Sequence, residues 1–408
     1  MMGSSPATTL PRSTYLLTLA QAVNLTAAVI SVTIAALVGS AFAPSPAWGT
    51  VPYGVQFASV MLFTYPASLL MRRYGRKAVF YGGSGFLVGS GVVGYAAVTT
   101  QNFKLLIAAH ALLGVYISCA NFYRFAAVDN LAPQAKARAI SWVVAGGVLA
   151  AVVGPLLANQ LRLVAGQAEF SMCYGALSML GALSLFILYF WRPSAAQKPV
   201  SLDAGVPQSA AAAALSARPH GLIVTAVFSA GAGYLVMNFL MIQSSLVLKG
   251  ICSFELTSRA IQIHVLAMFL PSFFTGALIS ALGLRNVLLL GFSLLAGAAG
   301  FGLAELEYSH VTVGLLLLGA GWNFVYVGGG ALLAKSVQES DRHRWQGLND
   351  TVVAACATLG AFLPAPLLSM LGWHGSNLLV IPLCAVGVFF CFWAMSPAIA
   401  LKPPGNKG

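Results

Sequence analysis

The sequence predicts an all-α membrane protein whose twelve transmembrane helices form two pseudo-symmetric six-helix bundles. Hydrophobic residues make up 59% of the 408 and charged residues only 7%, against roughly 25% charged in a soluble domain. The apolar residues fall in runs of the roughly 20 that one crossing of the hydrocarbon layer demands. A pattern in the first half also returns in the second at a nearly constant offset.

The spans follow from apolar length bounded by Pro, Gly and charge. The first runs from Tyr15 to Phe42, and the apolar stretch on to Ala43 is too long for a signal-peptide core, so it is expected to stay as a span. Next come Val51 to Leu70, closed by Arg72 and Arg73, then Ala78 to Val98 and Leu105 to Val128. Ala139 to Val164 and Ser171 to Trp191 complete an N-terminal bundle over residues 1–191. Residues 192–220 hold Ser, Pro, Gln and an alanine run, the composition of a flexible linker. The second bundle, 221–396, comprises Gly221 to Val247, Ser258 to Leu282, Val287 to Ala304, His310 to Ala334, Gly347 to Leu371 and Asn377 to Met395. A tail occupies 397–408.

The repeat appears where spans two and three meet. Ser68-Leu-Leu-Met-Arg-Arg-Tyr-Gly75 aligns with Gly276-Ala-Leu-Ile-Ser-Ala-Leu-Gly283, an offset of 208 residues, and Pro155-Leu-Leu aligns with Pro366-Leu-Leu at 211. Glycine is the fixed point of the first pair. Orientation follows from the basic residues. Of the 21 Lys and Arg, Lys104, Arg162, Lys249 and Arg259 fall on one side and Arg124 within a span; the other sixteen share the side of the termini and linker. Both termini are therefore expected to be cytoplasmic, in a multi-pass cell inner membrane protein.

A net charge of +12 does not imply nucleic acid, because the basic residues are scattered between apolar runs instead of gathered on one face. The six cysteines lie mostly inside apolar runs and imply neither disulfide nor metal. Gly328-Gly-Gly-Ala-Leu-Leu-Ala-Lys335-Ser336 is superficially like a phosphate loop, but Ala334 stands where the last glycine belongs and no strand precedes it. No cofactor is expected. An enzyme would need nucleophiles or acid–base groups clustered at one depth, and a receptor would need a soluble output domain.

Over nearly its whole length the chain resembles the major facilitator superfamily. The resemblance rests on Ser68 to Lys77, whose Gly75-Arg76-Lys77 ending looks like the signature loop between spans two and three, together with the span count and long linker. It implies that superfamily's fold and alternating access by rocking halves. Two departures matter. Ser68 stands at the loop's usual Gly, and Arg72 stands at its usual Asp, which in the family is thought to face the start of span eleven. Here span eleven opens Gln346-Gly-Leu-Asn-Asp350, so the charges are exchanged. Arg72 and Asp350 could form an inverted latch, with Gly75 and Arg76 part of the gate, or Asp350 could simply cap its own helix. Gly146, Gly147, Gly154 and Pro155 partly resemble a motif of facilitator antiporters, and equally suit close helix packing.

Polar groups inside the spans are costly and mark function or structural pairing. Arg124 is a candidate solute contact, or else a partner of Asp129 or Asp350. Gln21, Asn24, Asn121, Tyr234, Asn238, Trp322, Asn323 and Tyr326 join it as candidate solute-binding residues, because spans one, four, seven and ten line the cavity in the resembled family. Amides, an arginine and rings suit a planar hydrogen-bonding organic solute. No carboxylate lies deep in a span, which leaves His110 and His264 as candidates for coupling to protons, or as hydrogen-bonded structural histidines. The reading is a secondary transporter in contact with membrane lipid. Its lead solute is a vitamin-like heteroaromatic, taken up as by the branch that includes riboflavin transporters. A proton-coupled exporter of drugs or metabolites and a transport-inactive sensor are the alternatives.

Overall fold

A computed structural model describes residues 10–127, 131, 133–192, 219–338 and 341–395. Hydrocarbon offers backbone amides no water to bond, so each crossing must be helical. The elements are α1 (Arg12–Phe42), α2 (Val51–Thr99), α3 (Phe103–Ala120), α4 (Tyr123–Ala126), α5 (Pro133–Leu161), α6 (Ser171–Phe190) and α7 (Pro219–Ile251). They continue as α8 (Phe254–Phe269), α9 (Ser272–Leu282), α10 (Leu284–Phe301), α11 (Tyr308–Ser336), α12 (Arg342–Phe362), α13 (Pro364–Leu378) and α14 (Val380–Met395).

By length and composition eight stretches among the described residues can cross a membrane, or nine counting the bent pair α8 and α9. One of them, Pro46–Thr99, is 54 residues long and folds back at Gly75 into spans two and three. With α5 and α12, which Pro364 and the first turns of α13 extend, the twelve spans are complete. The halves repeat one another in backbone detail. Gly75 has φ 82° and ψ 158° and Gly283 has φ 81° and ψ 152°, a region open essentially to glycine alone. The aligned glycine is thus the residue that turns the chain between spans two and three and again between eight and nine. Gly372, at φ 66°, makes the turn between eleven and twelve.

Local chemistry sets where helices start and stop. Asn102 accepts from the Lys104 and Leu105 amides to begin α3, and Ser253 accepts from Leu256 to begin α8. Pro271 has no N–H to continue α8, and the two pieces of span eight are bent by 48°. Span four, expected as one run from Leu105 to Val128, breaks at Asn121 and Phe122. Arg124 therefore sits on the one-turn α4 and is exposed, not buried in an apolar run as its sequence context suggested. The linker expected over 192–220 lies outside the described residues except for Arg192, Pro219 and His220, the last two opening α7; the tail over 397–408 and Asp129 also lie outside them.

Each half has its own core. In the first, Tyr116, Tyr123 and Tyr174 are fully buried among Phe80, Leu87 and Leu113. In the second, the core gathers around Phe292, Leu295 and Leu318. Met179, Phe186, Met370 and Phe389 remain largely exposed, as side chains that face lipid must. Because nothing lies within 4 Å of a Cβ built at Gly75 or Gly283, replacing either by Ala costs backbone strain alone. Each substitution is expected to destabilise by roughly 1–3 kcal/mol, read as a lower Tm in detergent; unchanged Tm values would contradict the strained turn.

Candidate functional site

The halves touch on one face. At the start of α2, Thr50 Oγ1 donates to Phe362 O at 2.9 Å, and the Phe362 ring fills the space a Cβ at Gly54 would need. The end of α7 leans on the end of α1, where Lys249 Nζ reaches Ser40 Oγ at 3.3 Å and Leu37 O at 3.5 Å. Ser258 donates to Pro155 O at 3.2 Å. Beside it the Arg162 guanidinium, paired with Glu169 at 2.6 Å, lies 4.9 Å from the centre of the Phe254 ring, which also meets Phe170 edge-on at 5.3 Å. All of these lie toward the face opposite Gly75. Nearer mid-depth Gly147 of α5 abuts the Phe269 ring of α8, and among the described residues no hydrogen bond or ring pair joins the halves on the Gly75 face.

At mid-depth three rings from α7 and α11 form a cluster. Trp322 and Tyr326 stack at 5.1 Å with planes 11° apart. Tyr234 stands edge-on to both, at 5.2 Å and 5.1 Å and 82°. One helical turn separates Trp322 from Tyr326, which is why the two rings stack. Arg124 from the first half and Asp350 from the second both act electrostatically on the Tyr234 hydroxyl. Arg124 packs over Phe125 at 4.8 Å and has no hydrogen-bond or ion-pair partner among the described residues. The buried Trp322 Nε1 is likewise unpaired, as are Asn24 Oδ1 and Asn238 Oδ1.

Other candidates are placed apart from the rings. Gln21 and Asn24 face each other along α1 at 3.5 Å. Asn238 donates to Ala357 O at 2.9 Å, tying span seven to span eleven. Asn121 lies half-buried at the break in span four. Asn323 is tied to the bend of span eight: its Oδ1 accepts from Thr275 and its amide donates to Met268 O and Ser272 Oγ. A broken span needs such a partner for its freed carbonyls.

The two histidines are structural joints in this arrangement. His110 bonds Gln56 Oε1 at 2.9 Å and the Tyr174 hydroxyl at 3.0 Å, and Ser31 donates to the same Gln56 oxygen at 2.6 Å. That buried chain knits spans one, two, four and six of the first half. His264 Nδ1 bonds Leu315 O at 2.9 Å, and its buried Nε2 has no partner among the described residues. Arg72 and Asp350 are both exposed and do not touch. Arg76 is half-buried beside the Gly75 turn. Gly154 abuts Val29 and Gly146 abuts the α1 backbone, the close packing that small residues permit.

Sequence reasoning missed the closure face and Gln243. Arg162 and Lys249 registered only as loop charges, and nothing local announces that Phe254 will meet the first or the end of α1 the second. Gln243 is fully buried with neither amide atom partnered among the described residues. Its signal was an amide in the apolar run of span seven.

Two helical bundles that repeat one another and touch along one face, with a cluster of rings at mid-depth, have the build of a multi-pass transporter. The chain belongs to the Major Facilitator Superfamily, whose pattern it matches over residues 16–260 and 252–408, and it moves a small solute across a membrane. It is 33% identical to the riboflavin transporter RfnT of Brucella anthropi over 409 residues, covering 98% of each chain. An uncharacterized MFS-type transporter of Bacillus subtilis, YddS, is 29% identical over 74% of each. The human organic anion transporter MFSD10 superposes with a TM-score of 0.67 at 13% identity, covering 93% of this chain and 100% of that one. The nucleoside transporter NupG gives 0.64 at 13%, covering 94% and 98%; at such identity the likeness concerns the fold alone.

Interhelical hydrogen bonds in a membrane average about 0.6 kcal/mol each, so Asn323→Leu, which removes three, is expected to destabilise by about 2 kcal/mol. Thermal unfolding in detergent checks this, and an unchanged Tm would show that Asn323 does not hold the bend.

Proposed function

We propose that the chain takes up a planar heteroaromatic solute of the riboflavin kind across a bacterial inner membrane, with both termini cytoplasmic and the halves rocking about the ring cluster. One observation carries this reading: the Tyr234, Trp322 and Tyr326 rings gathered at mid-depth between the halves. A flat, electron-poor ring system is held by stacking on electron-rich Trp and Tyr faces, and its polar edge is oriented by a few placed donors and acceptors. Trp322 offers an unused N–H beside the stacked rings, a donor for one carbonyl oxygen of such a solute. The similarity to a riboflavin transporter over the full chain supports the same solute class. The concentration of basic residues on the side of the linker supports the orientation.

Of the glycines that suggest an exporter, Gly146 and Gly154 pack against α1 and Gly147 against Phe269 of α8, so close helix packing accounts for them as well. Arg124 and Asp350 are exposed and on this reading meet polar substituents of the solute. Loss of a stacking face is expected to weaken binding by about tenfold. Flavin fluorescence, which stacking quenches, should be titrated by wild-type protein in detergent, about tenfold more weakly by Trp322→Ala, and at an intermediate level by Trp322→Phe. Right-side-out vesicles should accumulate riboflavin. Equal titration by Trp322→Ala and wild type, or no flavin binding at all, would defeat the proposal.

A further inference from the structure

A second feature lies away from the solute path, on the lipid-facing flank of the first half. The starts of α1 and of span three and the end of α6 meet there around a groove of about 670 Å³ lined by Arg12, Ser13, Lys77 and Arg192 with Tyr189 and Phe190. Three cationic side chains converge and no acidic one lines the groove. Lys77 is held in place: its Nζ donates to Trp191 O at 2.7 Å and Tyr189 O at 3.1 Å, capping the end of α6, and sits 5.7 Å from the centre of the Tyr81 ring. Arg12 and Arg192 are exposed and free to close on a ligand. Among the described residues no acidic side chain pairs with Arg12, Lys77 or Arg192.

Tyr189 is 69% exposed and Phe190 46% exposed at the groove's edge. Exposed rings at the end of a span lie where acyl chains give way to headgroups. A soluble anion needs the charges but has no use for the rings. We propose that this groove binds an anionic phospholipid, its phosphodiester between Arg12, Lys77 and Arg192 and its acyl chains along Tyr189 and Phe190. The site holds one lipid on the Gly75 face of the first half and braces the junction of spans one, three and six.

The test uses the full chain in neutral detergent, with phosphatidylglycerol, phosphatidylcholine and glycerol 3-phosphate as probes, bound lipid being counted by native mass spectrometry. Phosphatidylglycerol should be retained and should raise the Tm, and phosphatidylcholine should do neither. Near a membrane surface each basic residue contributes enough that losing two weakens binding by about tenfold to thirtyfold. Arg12→Gln with Arg192→Gln should show that loss and leaves the Lys77 cap intact. Arg73→Gln with Lys335→Gln removes the same charge elsewhere and should retain the lipid. Equal retention of the two lipids by wild-type protein, unaltered binding by the Arg12/Arg192 variant, or displacement by glycerol 3-phosphate at the lipid's own concentration would each overturn the assignment. The wild-type comparison decides the matter even where a variant fails to fold.

Discussion

Everything in this protein answers to one constraint: within hydrocarbon, every backbone amide must find a partner inside the chain. Unbroken helix satisfies it by default, so each departure from helix needs a device. Gly75 and Gly283 turn the chain at the membrane face, where water supplies the missing bonds. Pro271 breaks span eight within the membrane, and there Asn323 crosses from span ten to take up the Met268 carbonyl and the side chains of Ser272 and Thr275. Polar residues that look available for a solute are therefore partly committed to architecture.

What remains uncommitted is unevenly shared between the halves. The rings come from spans seven and ten of the second half, while Arg124, which has no ion-pair partner among the described residues, comes from the first. A solute lying on the rings and reaching toward Arg124 spans the plane along which the halves move. Closure on the opposite face depends on a few residues from both halves: Lys249 against the end of α1, Phe362 against Gly54, and Phe254 between Arg162 and Phe170. These contacts are small in number and partly exposed, which suits a surface that must separate in each cycle.

The fold was legible because its signals are local or repeat. Twenty apolar residues announce a span, and the Gly75–Gly283 alignment foretold a backbone conformation that recurs within a few degrees. The ring cluster was legible too, since Trp322 and Tyr326 are one turn apart and Tyr234 lies on a span the resembled family uses. The bonds of Asn323 to the bend of span eight were not legible, because its three partners lie about fifty residues away, across a bend that hydropathy alone does not reveal. His110 gave no hint that Gln56 and Tyr174 would absorb both ring nitrogens. Arg124 moved from buried to exposed because span four breaks at Asn121, where no proline or glycine marks the site.

In the proposed cycle two rigid halves exchange the face on which they are closed while a solute rests on the rings. Spin labels at Leu163→Cys and Leu256→Cys report the closed face, and labels at Arg73→Cys and Arg344→Cys report the open one, in a chain whose 6 native cysteines are replaced. Pulsed electron-spin distances should lengthen for the first pair and shorten for the second when saturating riboflavin is added. Bound riboflavin with both distance distributions unchanged would contradict the account.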